Sequence, residues 1–276
     1  ASVSLMDLSV EAECFGSQIV VSEDEVPTVK GSIVSGPEEV ESLRIPPVGA
    51  GRTDIYIDAV RKAAEKIQDR PVFAGMIGPY SLAGRLLDVT EIMFYCYDEP
   101  EMVALLLDKA TEFLISYGKA YKETGADGIM LAEPLAGLLS PALAEEFSAP
   151  FVKRIVEALQ DDDFLVIYHN CGNSTIQMID SILNTGAAAY HFGNAIDMAE
   201  MLKHIPADTI AMGNVDPAGQ FRNGTPESIR TATLSLMEKC CTYPNFVISS
   251  GCDIPPMSKW ENIDAFFRAV ADFYGK

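Results

Sequence analysis

The segment FLVIYHNCGN, residues 164–173, places a histidine and a cysteine two positions apart at the end of an apolar run. Successive side chains of a strand point to opposite faces, so His169 and Cys171 are expected to face the same side. A further soft ligand, Cys252 in FVISSGCD, follows another apolar run. Imidazole and thiolate are preferred ligands of zinc, and three protein ligands leave one coordination position open for chemistry.

A second interpretation of these three residues stays open at this point. Free cysteine is among the most buried residue types, so a core histidine beside buried thiols would give the same pattern. A closed structural zinc site is disfavoured, because the sequence has no CxxC pair to complete four ligands. The six cysteines also lack the spacing of a small disulfide scaffold.

Apolar segments of strand length alternate with amphipathic segments along the chain. Near-continuous apolar strands between helices, such as those predicted over 100–125 and 226–240, favour a parallel sheet covered by helices. Polar residues follow several strands, which is typical of a TIM barrel, and the sequence has neither GxGxxG nor a P-loop. The predicted strands are residues 3–6, 72–77, 128–132, 164–169, 187–192, 209–213 and 246–250.

The predicted fold is α/β, a TIM (β/α)8-type barrel. Seven strands are recognised where a closed barrel has eight, so the barrel is expected to lack its first strand and its amino-terminal helices. Residues 1–276 are expected to form a single domain, since no linker or low-complexity tract interrupts them. The Pro- and Gly-containing region 17–50 is expected to form a long loop or small hairpin over the barrel mouth.

The composition argues against several classes of partner. The chain has 40 acidic and 20 basic residues, a formal net charge of −20, and no basic cluster longer than a pair, so a nucleic acid is not an expected partner. No apolar run approaches the roughly 20 residues that cross a bilayer, so no membrane association is expected. In the absence of a recognisable signal sequence, the expected location is cytoplasmic.

Three residues near predicted strand ends are candidates for substrate binding. Tyr80 lies in GPYSL, His191 in HFGN and Asn214 in GNVDP. Turn geometry explains the Gly and Pro residues of these motifs equally well. A lone histidine such as His191 is also compatible with a core or rim position.

These motifs together resemble the uroporphyrinogen decarboxylase superfamily. The HxC pair and the later GCD, with GPYSLAGRLLD, ADGIMLAEP, GNVDP and SSGCDIPP, are similar to the corrinoid-dependent methyltransferases of that superfamily, above all the methylcobamide:coenzyme M methyltransferase branch. The resemblance runs from Ser2 to the carboxyl end. It implies that His169, Cys171 and Cys252 bind zinc.

The resemblance also implies a reaction, the alkylation of a thiol. Coordination to zinc would deprotonate a small thiol such as coenzyme M, and a methylated corrinoid, methylcobalamin or a corrinoid protein, would donate the methyl group. Glu133 in GIMLAEP is a candidate for occupying or hydrogen-bonding the fourth position when substrate is absent. The alternative role for Glu133 is capping a helix.

The decarboxylase itself is the main rival. Asp7 in SLMDLSVEAECFG matches the catalytic aspartate of decarboxylases, but that segment is shared across the superfamily. Decarboxylases have a tyrosine where this chain has Arg85 and a histidine where it has Cys252, and they lack the HxC pair. A tetrapyrrole decarboxylase centred on Asp7, or an inactive barrel that only binds a corrinoid, remain the alternatives to a methyltransferase.

Overall fold

A sheet of seven parallel strands forms the centre of the molecule, which is a computed structural model that describes residues 1–275. From edge to edge the order is β1, β4, β5, β6, β7, β8 and β9, and a separate antiparallel hairpin contains β2 and β3. The strands are β1 (Ser2–Val3), β2 (Gln18–Val20), β3 (Thr28–Lys30), β4 (Val72–Ile77), β5 (Gly128–Ala132), β6 (Leu165–Asn170), β7 (Ala189–Phe192), β8 (Ile210–Val215) and β9 (Phe246–Ser250).

Helices follow the strands and cover the outer face of the sheet. Proline occupies the first turn of several of them, where its missing N–H is not needed. The helices are α1 (Val10–Cys14), α2 (Pro37–Ser42), α3 (Thr53–Lys66), α4 (Pro79–Leu87), α5 (Glu91–Asp98), α6 (Pro100–Lys122), α7 (Pro141–Phe147), α8 (Ala149–Leu159), α9 (Ile179–Leu183), α10 (Met198–Met201), α11 (Pro226–Cys240) and α12 (Trp260–Phe273).

The predicted parallel α/β architecture with seven strands is confirmed. Within residues 1–275, β1 and β9 are the two edges of the sheet and do not pair with each other, so the curled sheet is an open half-barrel. The predicted region 17–50 contains the β2–β3 hairpin, in which Gln18 pairs with Lys30. No helix among the described residues has both the length and the apolar character needed to cross a bilayer.

The strand register determines which side chains enter the concave side. Ile167 of β6 lies beside Met130 of β5 and Ala189 of β7, and these residues form a small buried cluster of their own. Residues two positions later on the same strands share that face. His169 and His191 therefore project above this cluster at the carboxyl end of the sheet, where they are register partners.

Candidate metal centre

Three soft ligands converge at the carboxyl ends of β6 and β9. One ligand atom from each of His169, Cys171 and Cys252 lies within 4.8 Å of the other two. The Cys252 Sγ atom is 3.6 Å from His169 Nε2. His169 is buried, while the two cysteines are partly exposed and line a cavity. The proximity expected from the strand ends is therefore present in the fold.

Local chain geometry brings the two cysteines to this point. Cys171 is the first residue after β6, and the chain after β7 passes so close to it that a Cβ at Gly193 would lie 2.5 Å from the Cys171 Cβ. Only glycine fits there, which gives the HFGN motif a packing role. Cys252 follows β9 by two residues, so both cysteines reach the cavity from strand-end turns.

A chain of hydrogen bonds fixes the tautomer of His169. His191 Nε2 lies 2.9 Å from both the Ser250 carbonyl oxygen and Ser249 Oγ, and the Ser249 hydroxyl itself donates to that carbonyl. Because a carbonyl oxygen only accepts, His191 carries its proton on Nε2 and accepts with Nδ1. His169 Nδ1 then donates to His191 Nδ1, 2.7 Å away, which leaves the lone pair of His169 Nε2 facing Cys252.

The protonation of the neighbouring groups agrees with this arrangement. Burial, reinforced by the adjacent His169, lowers the pKa of His191 to about 3, so this ring is neutral. A hydrogen bond from Cys252 lowers the pKa of Cys171 to about 7, against the opposing effect of burial. The same bond raises the pKa of Cys252 to about 12. Of the two thiols, that of Cys171 is therefore the more acidic.

The donor set fits a zinc ion. Two sulfurs and an unprotonated imidazole nitrogen are ligands that zinc prefers, and the second nitrogen of the ligating histidine is held by another protein group, as metal-binding histidines usually are. Among the described residues no other group of three His, Cys, Asp or Glu side chains has its ligand atoms this close. Three protein ligands would leave a position open toward the cavity.

The cavity beside these ligands has a volume of about 1010 Å³ and mostly apolar walls. Its walls come from the strand ends, from the β2–β3 hairpin and from α12. The edge strands β1 and β9 both contribute side chains, so the cavity extends into the open side of the half-barrel. A volume of this size exceeds the needs of a small thiol alone.

Glu133 is not brought to the ligand cluster. Its Oε1 accepts from the Tyr80 N–H at 2.8 Å, and its Oε2 accepts from the N–H and the hydroxyl of Ser81. The side chain therefore caps α4, the helix after the neighbouring strand, and is fully buried. Burial raises the pKa of Glu133 to about 7, against the opposing hydrogen bonds from Ser81 and Tyr80.

Asp7 is engaged in an ion pair next to the cavity. Its Oδ1 accepts from the N–H and hydroxyl of Ser9, and its Oδ2 accepts from Arg52 and from the Tyr56 hydroxyl. Burial raises the pKa of the Asp7 carboxyl, but the bonds from Ser9 and the charge of Arg52 outweigh it and hold that pKa below its usual value. Asp7 is therefore an ionised structural partner of Arg52 in this fold.

Of the three candidates for substrate binding, only His191 lies at the cavity wall. Tyr80 is fully buried in α4, with its hydroxyl 3.8 Å from Cys96 Sγ. Asn214 donates to the carbonyl oxygens of Gly193 and Ile196, each at 3.0 Å, and so holds the turn that follows β7. The structure does not bring Tyr80 or Asn214 to the cavity.

Arg85 is a cavity residue to which the sequence analysis gave no role. Eight of the nine residues of α4 are buried, and Arg85 is the exception because its side chain reaches the cavity wall. The signal in the sequence was a lone cation within an otherwise uncharged helix, PYSLAGRLL. Glu11 was also missed: its buried Oε1 accepts from the Ile77 N–H, and its Oε2 has no hydrogen-bond partner among the described residues.

The chain is similar in sequence to two kinds of known protein, methyltransferases and decarboxylases. The family model for uroporphyrinogen decarboxylase (URO-D) matches residues 1–273. A methylcobamide:CoM methyltransferase, MtbA from Methanosarcina acetivorans, is 28% identical over 273 residues, which cover 97% of this chain and 78% of the relative. A uroporphyrinogen decarboxylase from Coxiella burnetii is 25% identical over 285 residues, covering 99% of this chain and 77% of the relative.

A solved structure of a methyltransferase has a very similar fold. A methyltransferase from Methanosarcina mazei superposes with a TM-score of 0.89 at 25% sequence identity. The match covers 99% of this chain and 80% of that structure. Methyltransferases and decarboxylases are thus both among the relatives, and the side chains of the site must distinguish between them.

Proposed function

We propose, from the premise that this chain belongs to the uroporphyrinogen decarboxylase family, that it is a corrinoid-dependent methyltransferase whose methyl acceptor is a thiol. The observation that carries the proposal is the convergence of His169, Cys171 and Cys252 within 4.8 Å beside an open cavity. Relatives named as methylcobamide:CoM and methylated-thiol–coenzyme M methyltransferases support it.

The three soft ligands would hold a zinc ion. When bound, zinc would act as a Lewis acid that lowers the pKa of a coordinated substrate thiol, so that the thiolate is available at neutral pH. The transfer forms a carbon–sulfur bond and breaks the cobalt–carbon bond of a methyl-Co(III) corrinoid. The electron pair of the broken bond stays on cobalt as Co(I), and the thiol proton leaves to solvent.

The chain's own residues supply orientation. His191, fixed by Ser249 and Ser250, keeps His169 in the tautomer whose Nε2 lone pair is directed at the site. Cys171 and Cys252 present sulfur atoms from two separate strand ends on the cavity wall, so a coordination position left open by the three ligands would face the cavity. The apolar cavity walls would receive the methyl donor, which we propose arrives on a corrinoid protein.

The geometry around Asp7 favours this reaction over decarboxylation. A decarboxylase centred on Asp7 needs that carboxylate to meet substrate, whereas here both its oxygens accept hydrogen bonds from Ser9, Arg52 and Tyr56. A tetrapyrrole with many carboxylates also needs several cations. Among the described residues, Arg85 is the only Lys or Arg side chain that lines the cavity.

The test is metal analysis combined with a methyl-transfer assay. We expect about one zinc per chain, and with free methylcobalamin we expect thiol-dependent formation of Co(I), followed by its absorbance under anaerobic conditions. Cys252→Ser is expected to lose both the metal and the activity. Cys241→Ser is the matched control, because Cys241 lies at the carboxyl end of α11, outside the site.

Two outcomes would contradict the proposal. Folded wild-type protein that binds no zinc would remove the metal centre from the explanation. Zinc-loaded protein that forms no thioether from methylcobalamin and any thiol would instead support a barrel that only binds a corrinoid. Turnover of a porphyrinogen that is unaffected by chelators would favour the decarboxylase.

A further inference from the structure

We infer that Asn170 is a positioning residue of the metal centre, because its side chain holds the turn that presents the Cys171 sulfur. This inference rests on the proposed function, since it concerns the same three ligands. Asn170 is the buried last residue of β6 and lies between His169 and Cys171. Because successive side chains of a strand point to opposite faces, its amide is directed away from the ligand atoms and into the turn behind them.

The amide oxygen of Asn170 closes this turn. Oδ1 accepts a hydrogen bond from the Gly172 N–H at 3.0 Å and lies 2.9 Å from the Thr175 hydroxyl oxygen. The same hydroxyl lies 2.6 Å from the Gly172 carbonyl oxygen. Both backbone polar groups of Gly172 are therefore bonded within the turn, directly after Cys171. The backbone on one side of the Cys171 sulfur is fixed by these bonds.

The rest of Asn170 connects the turn to the sheet. Its Nδ2 donates to the hydroxyl of Tyr168, at 3.3 Å, and Tyr168 lies two positions earlier on the same face of β6. Its carbonyl oxygen accepts from the Gly193 N–H at 3.1 Å, which joins it to the chain after β7. A single amide thus bonds the rigid strand and the turn that carries a ligand at the same time.

The packing around this turn leaves little room for another path. A Cβ on Gly172 would lie 2.2 Å from the Gly137 carbonyl oxygen, in the segment after β5. On the other side, a Cβ on Gly193 would lie 2.5 Å from the Cys171 Cβ. Packing therefore limits the path of the turn, and the Asn170 amide supplies the hydrogen bonds that keep it on that path.

The position of the turn matters because metal ligands tolerate little displacement. A zinc–sulfur bond is about 2.3 Å long, and ligand distances vary by about 0.2 Å, so a turn displaced by about 1 Å would remove Cys171 from the ligand set. His191 orients His169 through a bond to its ring nitrogen. Asn170 has the corresponding part for Cys171, through the main chain on either side of it.

The alternative is that Asn170 only stabilises the fold, as other buried amides do. Asn245 offers a comparison within the same chain, because it is also buried and its Nδ2 donates to the carbonyl oxygens of Pro206 and Thr209, at 3.0 and 2.8 Å. Asn245 directly precedes β9, so it lies at the amino ends of the strands, away from the ligands. Its loss should cost stability without a change at the metal centre.

The experiment compares wild type with Asn170→Ala and Asn170→Asp, with cobalt(II) as the bound metal. Cobalt(II) binds the same nitrogen and sulfur ligands as zinc, and its thiolate charge-transfer absorption grows with the number of bound thiolates. We expect Asn170→Ala to lower the cobalt affinity by about 10- to 100-fold and to reduce this absorption by about half, as in Cys171→Ser. Asn170→Asp keeps an acceptor for Gly172 and should recover most of both.

Asn245→Ala is the matched control, and we expect it to retain the wild-type affinity and absorption. If Asn170→Ala does not fold, Thr175→Val tests the same turn, because it removes only the hydroxyl that lies between Asn170 and Gly172. Its absorption should change in the same direction as expected for Asn170→Ala, by a smaller amount. An unchanged spectrum and affinity in Thr175→Val would count against the inference.

A second measurement needs no metal. In metal-free protein, iodoacetamide alkylates the thiols of Cys171 and Cys252, and mass spectrometry of the peptides gives a rate for each. We expect Asn170→Ala to raise the rate at Cys171 by roughly 10-fold, because a released turn exposes the sulfur more often, and to leave the rate at Cys252 unchanged. Asn245→Ala should leave both rates unchanged.

The outcomes separate this inference from the proposed function. Wild-type absorption and a wild-type alkylation rate at Cys171 in Asn170→Ala would overturn the role of Asn170 and leave the methyltransferase proposal intact. Equal losses in Asn170→Ala and Asn245→Ala would also overturn it, because both amides would then act only on stability. If wild type binds neither zinc nor cobalt, the proposed function fails. An Asn170-dependent rate at Cys171 would then still support the positioning of this thiol.

Discussion

The polar residues at the carboxyl ends of β6 and β9 differ from the carboxylates near β1, β4 and β5 in the atoms that surround their lone pairs. We call His169, Cys171 and Cys252 the soft cluster, and Asp7, Glu11 and Glu133 the carboxylate group. In the soft cluster, the atoms that can bind a metal point at one another beside the cavity. In the carboxylate group, Asp7 and Glu133 have both oxygens bonded to protein donors.

This difference shows how to interpret polar residues at strand ends in a parallel α/β fold. Such positions are typical of catalytic residues, but they also satisfy the N-termini of neighbouring helices. The informative question is whether the polar atoms already have protein partners. The ligand atoms of the soft cluster contact one another beside the cavity and are available for a ligand, whereas the Glu133 and Asp7 carboxylates are bonded to other protein groups and belong to the framework.

The largest expected effect is on metal binding by the soft cluster. His169→Ala should weaken zinc binding by more than about 100-fold, because loss of a direct ligand exceeds the effect typical of outer-shell partners. Asp7→Asn should keep its zinc, because Asp7 is not one of the three clustered ligands and its carboxylate is bonded to Arg52. Zinc stoichiometry and competition with a chelator measure both. Equal zinc loss in the two variants would contradict the division between the groups.

The next largest effect is expected when Glu133 is replaced. It concerns the stability of the fold and not the zinc content. Glu133→Ala leaves the buried N–H groups of Tyr80 and Ser81 without their acceptor, so the free energy of unfolding should fall by about 2–4 kcal/mol. Denaturant unfolding measures the loss. Glu133→Gln keeps the shape and one acceptor and should lose less. Zinc loss in Glu133→Gln without a loss of stability would restore Glu133 as a metal ligand.

His191 links the soft cluster to β9. Replacing it should lower the zinc affinity less than replacing a direct ligand does. His191→Phe keeps a ring but removes the nearer of the two acceptors of His169 Nδ1 and leaves only the His191 carbonyl oxygen, at 3.2 Å, so the His169 tautomer is held less firmly. Zinc affinity should fall by about 10- to 100-fold. His204→Phe is the control, because His204 is exposed on the surface. Unchanged zinc affinity in His191→Phe would contradict the positioning role.

The sequence predicts the parts of this structure that depend on local patterns. The strands 72–77, 128–132 and 246–250 have the predicted bounds, because each is an apolar run that ends at a Gly or a polar residue. Strand 3–6 was predicted too long: only Ser2–Val3 pair, at the edge of the sheet. The proximity of Cys252 to His169 followed from their strand ends. What these residues bind stays a prediction.

The sequence does not reveal contacts between distant segments. Glu133 meets Tyr80 and Ser81 across more than fifty residues, so no local pattern could show that its carboxylate is already used. The same contact explains the GPY motif, since a Cβ at Gly78 would lie 2.2 Å from Glu133 Cγ. Arg85 was visible as a lone cation, but its position on the cavity wall depends on how α4 packs.

The smallest expected effect is that of Glu11 on the pH dependence of the free energy of unfolding. It tests whether proton binding by the carboxylate group is coupled to folding. Burial raises the pKa of Glu11 to about 7, from an ordinary value of 4.5. Between pH 5 and 7 the folded chain therefore retains a proton that the unfolded chain has released. The contribution of Glu11 to the free energy of unfolding should fall as pH rises through this range, by at most about 1.4 kcal/mol for each pH unit, and level off above pH 7.

Glu11→Gln should weaken that slope without abolishing it, because burial also raises the pKa of Glu133 to about 7. The measurement is denaturant unfolding of metal-free protein at pH 5, 6, 7 and 8. Glu145→Gln, on the exposed face of α7, should retain the wild-type slope. If Glu11→Gln and wild type have parallel curves, then Glu11 is ionised in the folded state. Its Oε2 must in that case have a compensating partner, and the carboxylate group would resemble the soft cluster in having a polar atom open to a ligand.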